Sequence, residues 1–444
     1  MNIILLSGGS GKRLWPLSND VRSKQFIKLF KDDNGEYESM VQRVYRQVTA
    51  VDRNAKITIA TSKSQASAIK NQLGNKTSIC VEPCRRDTFP AILLAATYLH
   101  DELGVSEEEA VAVCPVDPYV DNTYYEAVEK LEKLVEMNMA NLTLMGIEPT
   151  YPSEKYGYII PELPGVISRV KEFKEKPDTE MAKEYLKQNA LWNAGVFAFR
   201  LGYLLEKAHN MVDFTNYHDL YSKYDTLTKI SFDYAVVEKE PSIQVMRYNS
   251  DWKDVGTWNM MAEVMADDIK GLAVMDDTCQ NTHIINELNI PIIAMGCKDM
   301  VIAASGDGIL VSDKERSGYM KSYVEKVESA AMFAEKSWGT YTVMDAQPGS
   351  MTVKVSMPIG NQMSYHSHEY REEVWTVISG SGIAIVDGLE NFLRTGDVLT
   401  IAPGCKHTVK AITNLDIIEV QLGESISADD KIKYETCNTF FGGY

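Results

Sequence analysis

A hydrophobic run, Ile3-Ile4-Leu5-Leu6, leads straight into Ser7-Gly8-Gly9-Ser10-Gly11-Lys12-Arg13-Leu14-Trp15-Pro16-Leu17. Small residues at a strand end let a phosphate approach the backbone. Successive N–H groups there form an anion nest, and a following helix N-terminus adds positive potential. Lys12 and Arg13 bring full charges, and Lys24 follows in Ser23-Lys24-Gln25-Phe26. The stretch is not a Walker A loop, because Arg13 stands where Ser or Thr should follow Gly-Lys. It is not a dinucleotide fingerprint either, because Leu14 replaces the third glycine. Taken alone, the glycines also fit a turn that needs them for geometry only.

Other segments carry groups of the same kind of use. Glu82-Pro83-Cys84-Arg85-Arg86-Asp87-Thr88-Phe89-Pro90 sets two arginines beside two acids at a strand-to-helix junction. Asp117 stands between Val116 and Pro118, just past an apolar run, and by itself reads equally as a turn aspartate. Gly157 lies between Tyr156 and Tyr158, and Glu175-Lys176-Pro177-Asp178 follows Phe173. Asn193 is a lone amide in Trp192-Asn193-Ala194-Gly195-Val196-Phe197, and Asp254 precedes a glycine in Trp252-Lys253-Asp254-Val255-Gly256-Thr257-Trp258. Near the C-terminus His366, His368, Glu373 and His407 gather three of the seven histidines. Three imidazoles and a carboxylate suit Zn²⁺, Mn²⁺ or Fe²⁺. A His-x-His on a strand turns both rings to one face.

These groups need a scaffold. Through about residue 150, strands alternate with helical stretches. Ile57–Ala60, Ala110–Cys114 and Leu142–Met145 read as strands; Ala91–Leu103 and Tyr125–Met137 read as helices. Ser106 with Glu109 has the spacing of a capping box and predicts a further helical turn. The pattern predicts an α/β domain around a mixed, mostly parallel sheet with ligands at the strands' carboxyl ends, where Leu6 and Asp117 fall. After Ala262 short strand-like pieces punctuated by glycine and asparagine predict a small β-rich module. Tyr323–Lys336 reads as a helical linker. From Trp338, strands recur at short intervals with turns between them, the signature of a β-sandwich or barrel. The expected domains are 1–262, 263–325 and 326–444.

Bulk properties narrow the function. With 444 residues the chain is long enough for two or three domains. The net charge of −17 argues against a nucleic-acid surface, which must neutralise a phosphate backbone. A polyanionic substrate would therefore need clustered cations or a metal. Seven cysteines, an odd number at scattered spacing, give no disulfide framework. No apolar run spans a bilayer and no cleavable signal is evident, so a cytoplasmic location without a membrane partner is the simplest expectation.

Taken together, the motifs resemble the mannose-1-phosphate guanylyltransferases, or GDP-mannose pyrophosphorylases, in their long bacterial form. The resemblance rests on Ser-Gly-Gly-Ser-Gly-x-Arg-Leu-Trp-Pro-Leu-Ser, Lys-Gln-Phe, Glu-Lys-Pro-Asp and Trp-x-Asp-Val-Gly-x-Trp, which stand in the family's order and spacing across nearly the whole chain. It implies a Rossmann-like nucleotidyltransferase domain, a β-helix-like module and a C-terminal cupin β-barrel. It also implies the reaction of GTP with mannose 1-phosphate to GDP-mannose and diphosphate, assisted by Mg²⁺, in a homo-oligomer.

By the same resemblance, Asp117 and Asp254 hold the magnesium, while Arg13, Lys24 and Lys176 are the catalytic cations. Leu6, Ser7, Gly8, Gly9, Gly11, Glu82, Arg86 and Thr88 bind the nucleotide; Gly157, Glu175, Asn193 and Asp233 bind the sugar. Gly360, His366, His368, Glu373 and Gly380 have the spacing of a first cupin motif. Gly396, Pro403, Gly404 and His407 resemble the second, with the proline displaced by one position. His366, His368, Glu373 and His407 are then the ligands of a cupin metal. Bifunctional relatives use this domain as a mannose-6-phosphate isomerase. This chain departs from them at Val374, where they have histidine, and in lacking their arginine-bearing tail. Two alternatives stay open: another sugar 1-phosphate as substrate, or isomerase activity in the cupin.

Overall fold

The computed structural model describes residues 1–9, 12–19, 21–327, 331–427 and 430–434. Ser10 and Gly11 of the glycine segment, and Cys437 near the end, lie outside the described residues. The chain divides into two compact units: Met1–Ser10 with Ser23–Ala266, and Gly11–Arg22 with Asp267–Tyr444.

The first unit is built on nine strands: β1 (Asn2–Ser7), β2 (Lys56–Ser62), β3 (Ser78–Glu82), β4 (Ala110–Pro115), β5 (Leu142–Ile147), β6 (Tyr158–Pro161), β7 (Ile167–Lys174), β8 (Leu191–Arg200) and β9 (Ile243–Tyr248). Their order in the sheet is β3-β2-β1-β4-β8-β5-β9-β7-β6. The β3, β2, β1 and β4 neighbours all run parallel, as does the β5–β9 pair. Every other pairing is antiparallel, so the parallel character expected from the first strands holds for one half of a mixed sheet. Ile3, Ile4 and Leu5 are all fully buried, which requires cover on both faces and explains the unbroken apolar run.

The helix Thr88–Asp101 buries Ile92, Leu93, Leu94, Ala95, Ala96 and Leu99 completely, and shares a core with Ile4, Val111 and Val113. It begins three residues before the expected Ala91, because Asp87 caps it by accepting from Thr88 N at 2.8 Å, and Pro90 fits within a first turn that needs no N–H from it. The Ser106–Glu109 pattern makes one of the two capping-box bonds, Ser106 N to Glu109 Oε1 at 3.0 Å; Ser106 Oγ accepts instead from Glu108 N at 3.3 Å, and Glu109 N donates to the Ser106 carbonyl. It closes a turn into β4 and starts no helix, since Ala110 is already taken into the sheet. Among the described residues no helix is long and apolar enough to cross a membrane.

The second unit holds two kinds of β-structure. In the first, Ile269–Lys270, His283–Asn286 and Met300–Ser305 run parallel and Gly308–Asp313 returns antiparallel; Ala273–Met275 and Ile292–Ala294 form a second parallel pair. The apolar end of the opening motif belongs to this unit. Ser305 Oγ donates to the Pro16 carbonyl at 2.7 Å, and Trp15 packs so tightly on Gly308 that a Cβ there would come within 2.5 Å of the indole. Among the described residues, the stretch expected as a helical linker is helical over Lys321–Val327, and Phe333–Lys336 is a strand paired with Gly339–Gln347.

The remainder is an antiparallel sandwich. Phe333–Lys336, Gly339–Gln347, Ser350–Met357, Leu415–Leu422, Glu372–Ser379 and Val398–Ile401 form one sheet. Leu389–Arg394, Ser381–Val386, His407–Ala411, His366–Ser367 and Ile432–Lys433 form the other. Val353, Val355, Trp375, Val377, Val409 and Ile417 fill the core between them.

Candidate active site and metal centre

The parallel half of the first sheet lines up its carboxyl ends: Ser7 pairs with Thr61, Leu6 with Pro115, and Ser62 with Glu82. Buried polar side chains behind this edge hold the glycine segment by its carbonyls. Thr61 Oγ1 donates to Ser7 O at 2.9 Å and Ser23 Oγ to Gly9 O at 2.8 Å; Gln65 Nε2 reaches both Ser23 Oγ (2.5 Å) and Gly9 O (3.2 Å). A trans peptide plane sends its N–H opposite to its C=O, so the Gly8 amide is turned away from Thr61. A Cβ at Gly8 would make only an ordinary contact, 3.6 Å from Glu82 Oε1, and at Gly9 it would meet nothing; neither glycine has a positive φ. The packing of the chain itself does not require glycine at either position.

Next along the sheet lies a cavity of about 260 Å³ lined by Asp117, Gly157, Glu175, Asn193, Asp233 and Asp254 among others. Distant parts of the chain supply these residues. Asp254 ends the short strand Trp252–Asp254, whose antiparallel register sets it opposite Pro118, next to Asp117. Asn193 sits where the β8–β5 register shifts, a bulge that re-aims the strand. Its Nδ2 donates to Asp233 Oδ1 at 2.7 Å and its Oδ1 accepts from Gly195 N at 3.1 Å, so the amide orientation is fixed from both ends. Gly157 leaves room for the Glu175 carboxylate: a Cβ would stand 2.5 Å from Glu175 Oε2 and 3.1 Å from Phe173, so that carboxylate would have to move.

The charges here are paired in advance. Lys24 Nζ is 3.0 Å from Asp117 Oδ2 and also donates to the Val255 carbonyl at 3.3 Å. Lys176 Nζ is 2.6 Å from Glu175 Oε1 and leaves a backbone held at φ 45°, a left-handed value rare for a side-chain residue. Burial, and then the charge of Glu175, pushes the Asp233 carboxyl up to about 6. Two carboxylates facing one cavity, one of them already drawing an ammonium, form an oxygen donor set that suits Mg²⁺.

The second cluster is closed. His366, His368 and His407 are all buried, and each offers a nitrogen within 4.8 Å of the others. His366 Nδ1 lies 2.6 Å from Ser364 O, His368 Nδ1 2.8 Å from Asp430 O, and His407 Nδ1 2.9 Å from Cys405 O. A carbonyl can only accept, so each Nδ1 carries the proton and each Nε2 presents a lone pair. Burial holds His366 down to about 2 and His368 to about 4, which keeps both rings neutral. Glu373 adds its oxygens 3.2 Å from His368 Nε2 and 3.3 Å from His407 Nε2. His407 Nε2 has no hydrogen-bond partner. Lone pairs converging on a carboxylate in a buried space fit a divalent cation, with the backbone carbonyls fixing the tautomers from behind.

Each site falls within a stretch of the chain that matches a known family. Residues 2–271 match the nucleotidyl transferase family, and residues 325–436 match the mannose-6-phosphate isomerase C-terminal family. The chain belongs to the nucleotidyl transferase family. Over 97% of its length, and 97% of the relative's, this nucleotidyltransferase is 30% identical to the xanthan biosynthesis protein XanB of Xanthomonas campestris pv. campestris. It is 28% identical to a mannose-1-phosphate guanylyltransferase of Klebsiella pneumoniae over 97% of this chain and 98% of that one. A crystal structure from Thermus thermophilus, described as that of a mannose-1-phosphate geranyltransferase, aligns with a TM-score of 0.60 at 26% identity, covering 74% of this chain and 99% of that one.

Several expected nucleotide residues of this nucleotidyltransferase do structural work outside the cavity lining. Arg86 donates to the Asp225 carbonyl, and Thr88 Oγ1 accepts from Phe232 N at 2.8 Å. Both tether the 225–232 segment to the start of the long helix. Glu82 is buried, accepts from Tyr224 OH at 2.7 Å and faces Gly8; burial raises its carboxyl. Arg13 is exposed on the turn Lys12–Leu14, in the segment that belongs to the second unit. The cavity also contains Lys155, Tyr156, Gly195 and Trp252, to which no role was given from sequence. Tyr156 packs between Trp192 (4.8 Å) and Trp252 (5.5 Å), and both indole N–H groups are buried without a protein partner. The available signal was adjacency: Tyr156 precedes Gly157, and Trp252 stands two residues before Asp254.

Proposed function

We propose that this chain is a GTP:mannose-1-phosphate guanylyltransferase. The observation that carries the reading is the single cavity where Asp117, Asp254, Glu175, Asn193 and Asp233 meet, next to the carboxyl-end edge that holds Ser7–Gly9. In the reaction, an oxygen of mannose 1-phosphate attacks the α-phosphorus of GTP. A new P–O bond forms, the bond to the α–β bridging oxygen breaks, and pyrophosphate leaves. The attacking oxygen is already ionised, so no side chain need remove a proton. The work is positioning and charge neutralisation.

The chain's own groups fit that work. Ser7, Gly8 and Gly9 offer backbone N–H groups to the nucleotide phosphates, and at Gly8 and Gly9 a side chain would obstruct only a ligand. Glu175 accepts from sugar hydroxyls, with Gly157 giving the sugar close access. Asp233 acts through Asn193, whose amide it orients. Lys24 rests on Asp117 and can turn its ammonium to an arriving phosphate; Lys176 stands on Glu175 in the same way. A magnesium ion held by Asp117 and Asp254 would supply further neutralisation of the phosphate oxygens. The test is pyrophosphate release measured across nucleotides and sugar 1-phosphates, with and without Mg²⁺. Mg²⁺-dependent release with GTP and mannose 1-phosphate supports the reading; turnover with only a non-guanine nucleotide or another sugar rejects it.

The C-terminal cluster supports a second reading, a metal-dependent mannose-6-phosphate isomerase with His366, His368, Glu373 and His407 as ligands. Of the two departures from bifunctional relatives, Val374 falls on the strand face opposite Glu373 and Trp375, which are both buried. The change therefore leaves the cluster itself intact. Fructose 6-phosphate formed from mannose 6-phosphate would establish this activity, and none formed by the metal-loaded protein would reject it.

A further inference from the structure

The histidine cluster already holds a cation of its own. The Arg371 guanidinium is buried with it: Nε donates to Glu373 Oε1 at 3.0 Å, Nη2 lies 2.9 Å from His368 Nε2, and Nη1 donates to Ser427 O at 3.0 Å. Because His368 carries its proton on Nδ1, its Nε2 can only accept from Nη2. The lone pair that a metal would need is thus engaged by a guanidinium proton. His366 and His407 have no such bond from Arg371; the arginine touches one of the three imidazoles together with the carboxylate.

We propose that Arg371 is the resident counter-cation of this site and that metal uptake is an exchange, in which Nη2 must release His368 Nε2 before a divalent ion can take it. The inference rests on the metal reading of the cluster. One feature favours exchange over simple support: a supporting arginine would touch only Glu373, whereas Arg371 occupies a donor lone pair directly. Nε and Nη2 lie along one edge of the planar guanidinium and reach Glu373 Oε1 and His368 Nε2 side by side, so freeing the His368 lone pair requires that edge to turn about its bond to Glu373. The same cluster is tied to Ser427 and Asp430. Ser427 accepts from Arg371, and Asp430 accepts from His368 Nδ1 and from the backbone of Glu369 and Tyr370.

The experiment is Co²⁺ binding to the full chain, followed by its visible absorption and by chelator competition, in the wild type, Arg371→Gln and Arg371→Lys. Exchange predicts that Arg371→Gln binds Co²⁺ about tenfold or more tightly, the worth of one charge-assisted hydrogen bond no longer given up. Arg371→Lys, which keeps charge but loses the fork, falls between the two. If Arg371→Gln does not fold, as judged by its metal-free melting, Arg371→Lys decides on the same criterion of tighter binding. A second readout uses Arg371→Ala, where millimolar guanidinium should weaken Co²⁺ binding while leaving the wild type unchanged. Equal or weaker Co²⁺ affinity in the variants, or no effect of guanidinium on Arg371→Ala, overturns the exchange and leaves the metal site standing. No Co²⁺ binding by any of the proteins overturns both.

Discussion

The two clusters solve one problem, gathering donors around a cation, in opposite ways. The transferase cavity is assembled from short segments far apart in sequence, and its lysines wait in ion pairs that each join a more buried group to a more exposed one: Lys24 on Asp117, Lys176 on Glu175. The cupin cluster is buried, its three rings locked in one tautomer by backbone carbonyls. The first arrangement suits a site that must admit two polyanions and release two others, since each lysine rests on a carboxylate whose place an arriving phosphate can take. The second suits one small resident ion. In a chain of net charge −17, Lys24 and Lys176 are held on carboxylates that line the cavity.

The contrast is most vulnerable at the carboxylates. Asp254→Asn should lower the rate of pyrophosphate release roughly several hundredfold, as expected for losing a major electrostatic group, while metal binding by the cupin stays unchanged. A near-normal rate excludes Asp254 as a ligand. In the closed site, His366→Ala should weaken Co²⁺ binding by at least about a hundredfold, more than a change behind a ligand costs.

A smaller effect concerns Asp233, whose folded-state value of about 6 lies above its ordinary 3.8. The folded chain binds more protons in that window, so this group's contribution to stability is greatest below it and is lost as pH rises through it. Unfolding measured against pH should show Asp233→Asn gaining on the wild type between those values, by about 3 kcal/mol at neutral pH. A pH-independent difference would mean that burial does not shift this carboxyl. The smallest effect is Gly9→Ala, where a Cβ meets no protein atom. It should leave stability within about 0.5 kcal/mol and raise the KM for nucleotide, in keeping with an amide rim that a ligand must approach closely. Lost stability with unchanged KM would return this glycine to a purely local role.

Much of this was legible before any coordinates. Apolar runs such as Ile3–Leu6 announce strands buried on both faces, and Asp117 and Asp254 could be paired because the surrounding motifs occur together. Three kinds of feature were not legible. The antiparallel half of the sheet depends on long-range pairing, which local pattern does not encode. The division of the opening motif between the two units arises because Trp15 and Pro16 find their partners at Gly308 and Ser305, almost three hundred residues on. Arg371 looked like any charged residue between two cupin ligands, since its value comes from a 2.9 Å contact that only the fold creates.

The most direct test sets the two sites against each other in one assay: pyrophosphate released from GTP and mannose 1-phosphate in Mg²⁺, by the wild type, Asp254→Asn and His407→Ala. Release should survive His407→Ala and collapse in Asp254→Asn. The reverse pattern, release that survives Asp254→Asn and collapses in His407→Ala, would refute the assignment of nucleotidyl transfer to the first cavity.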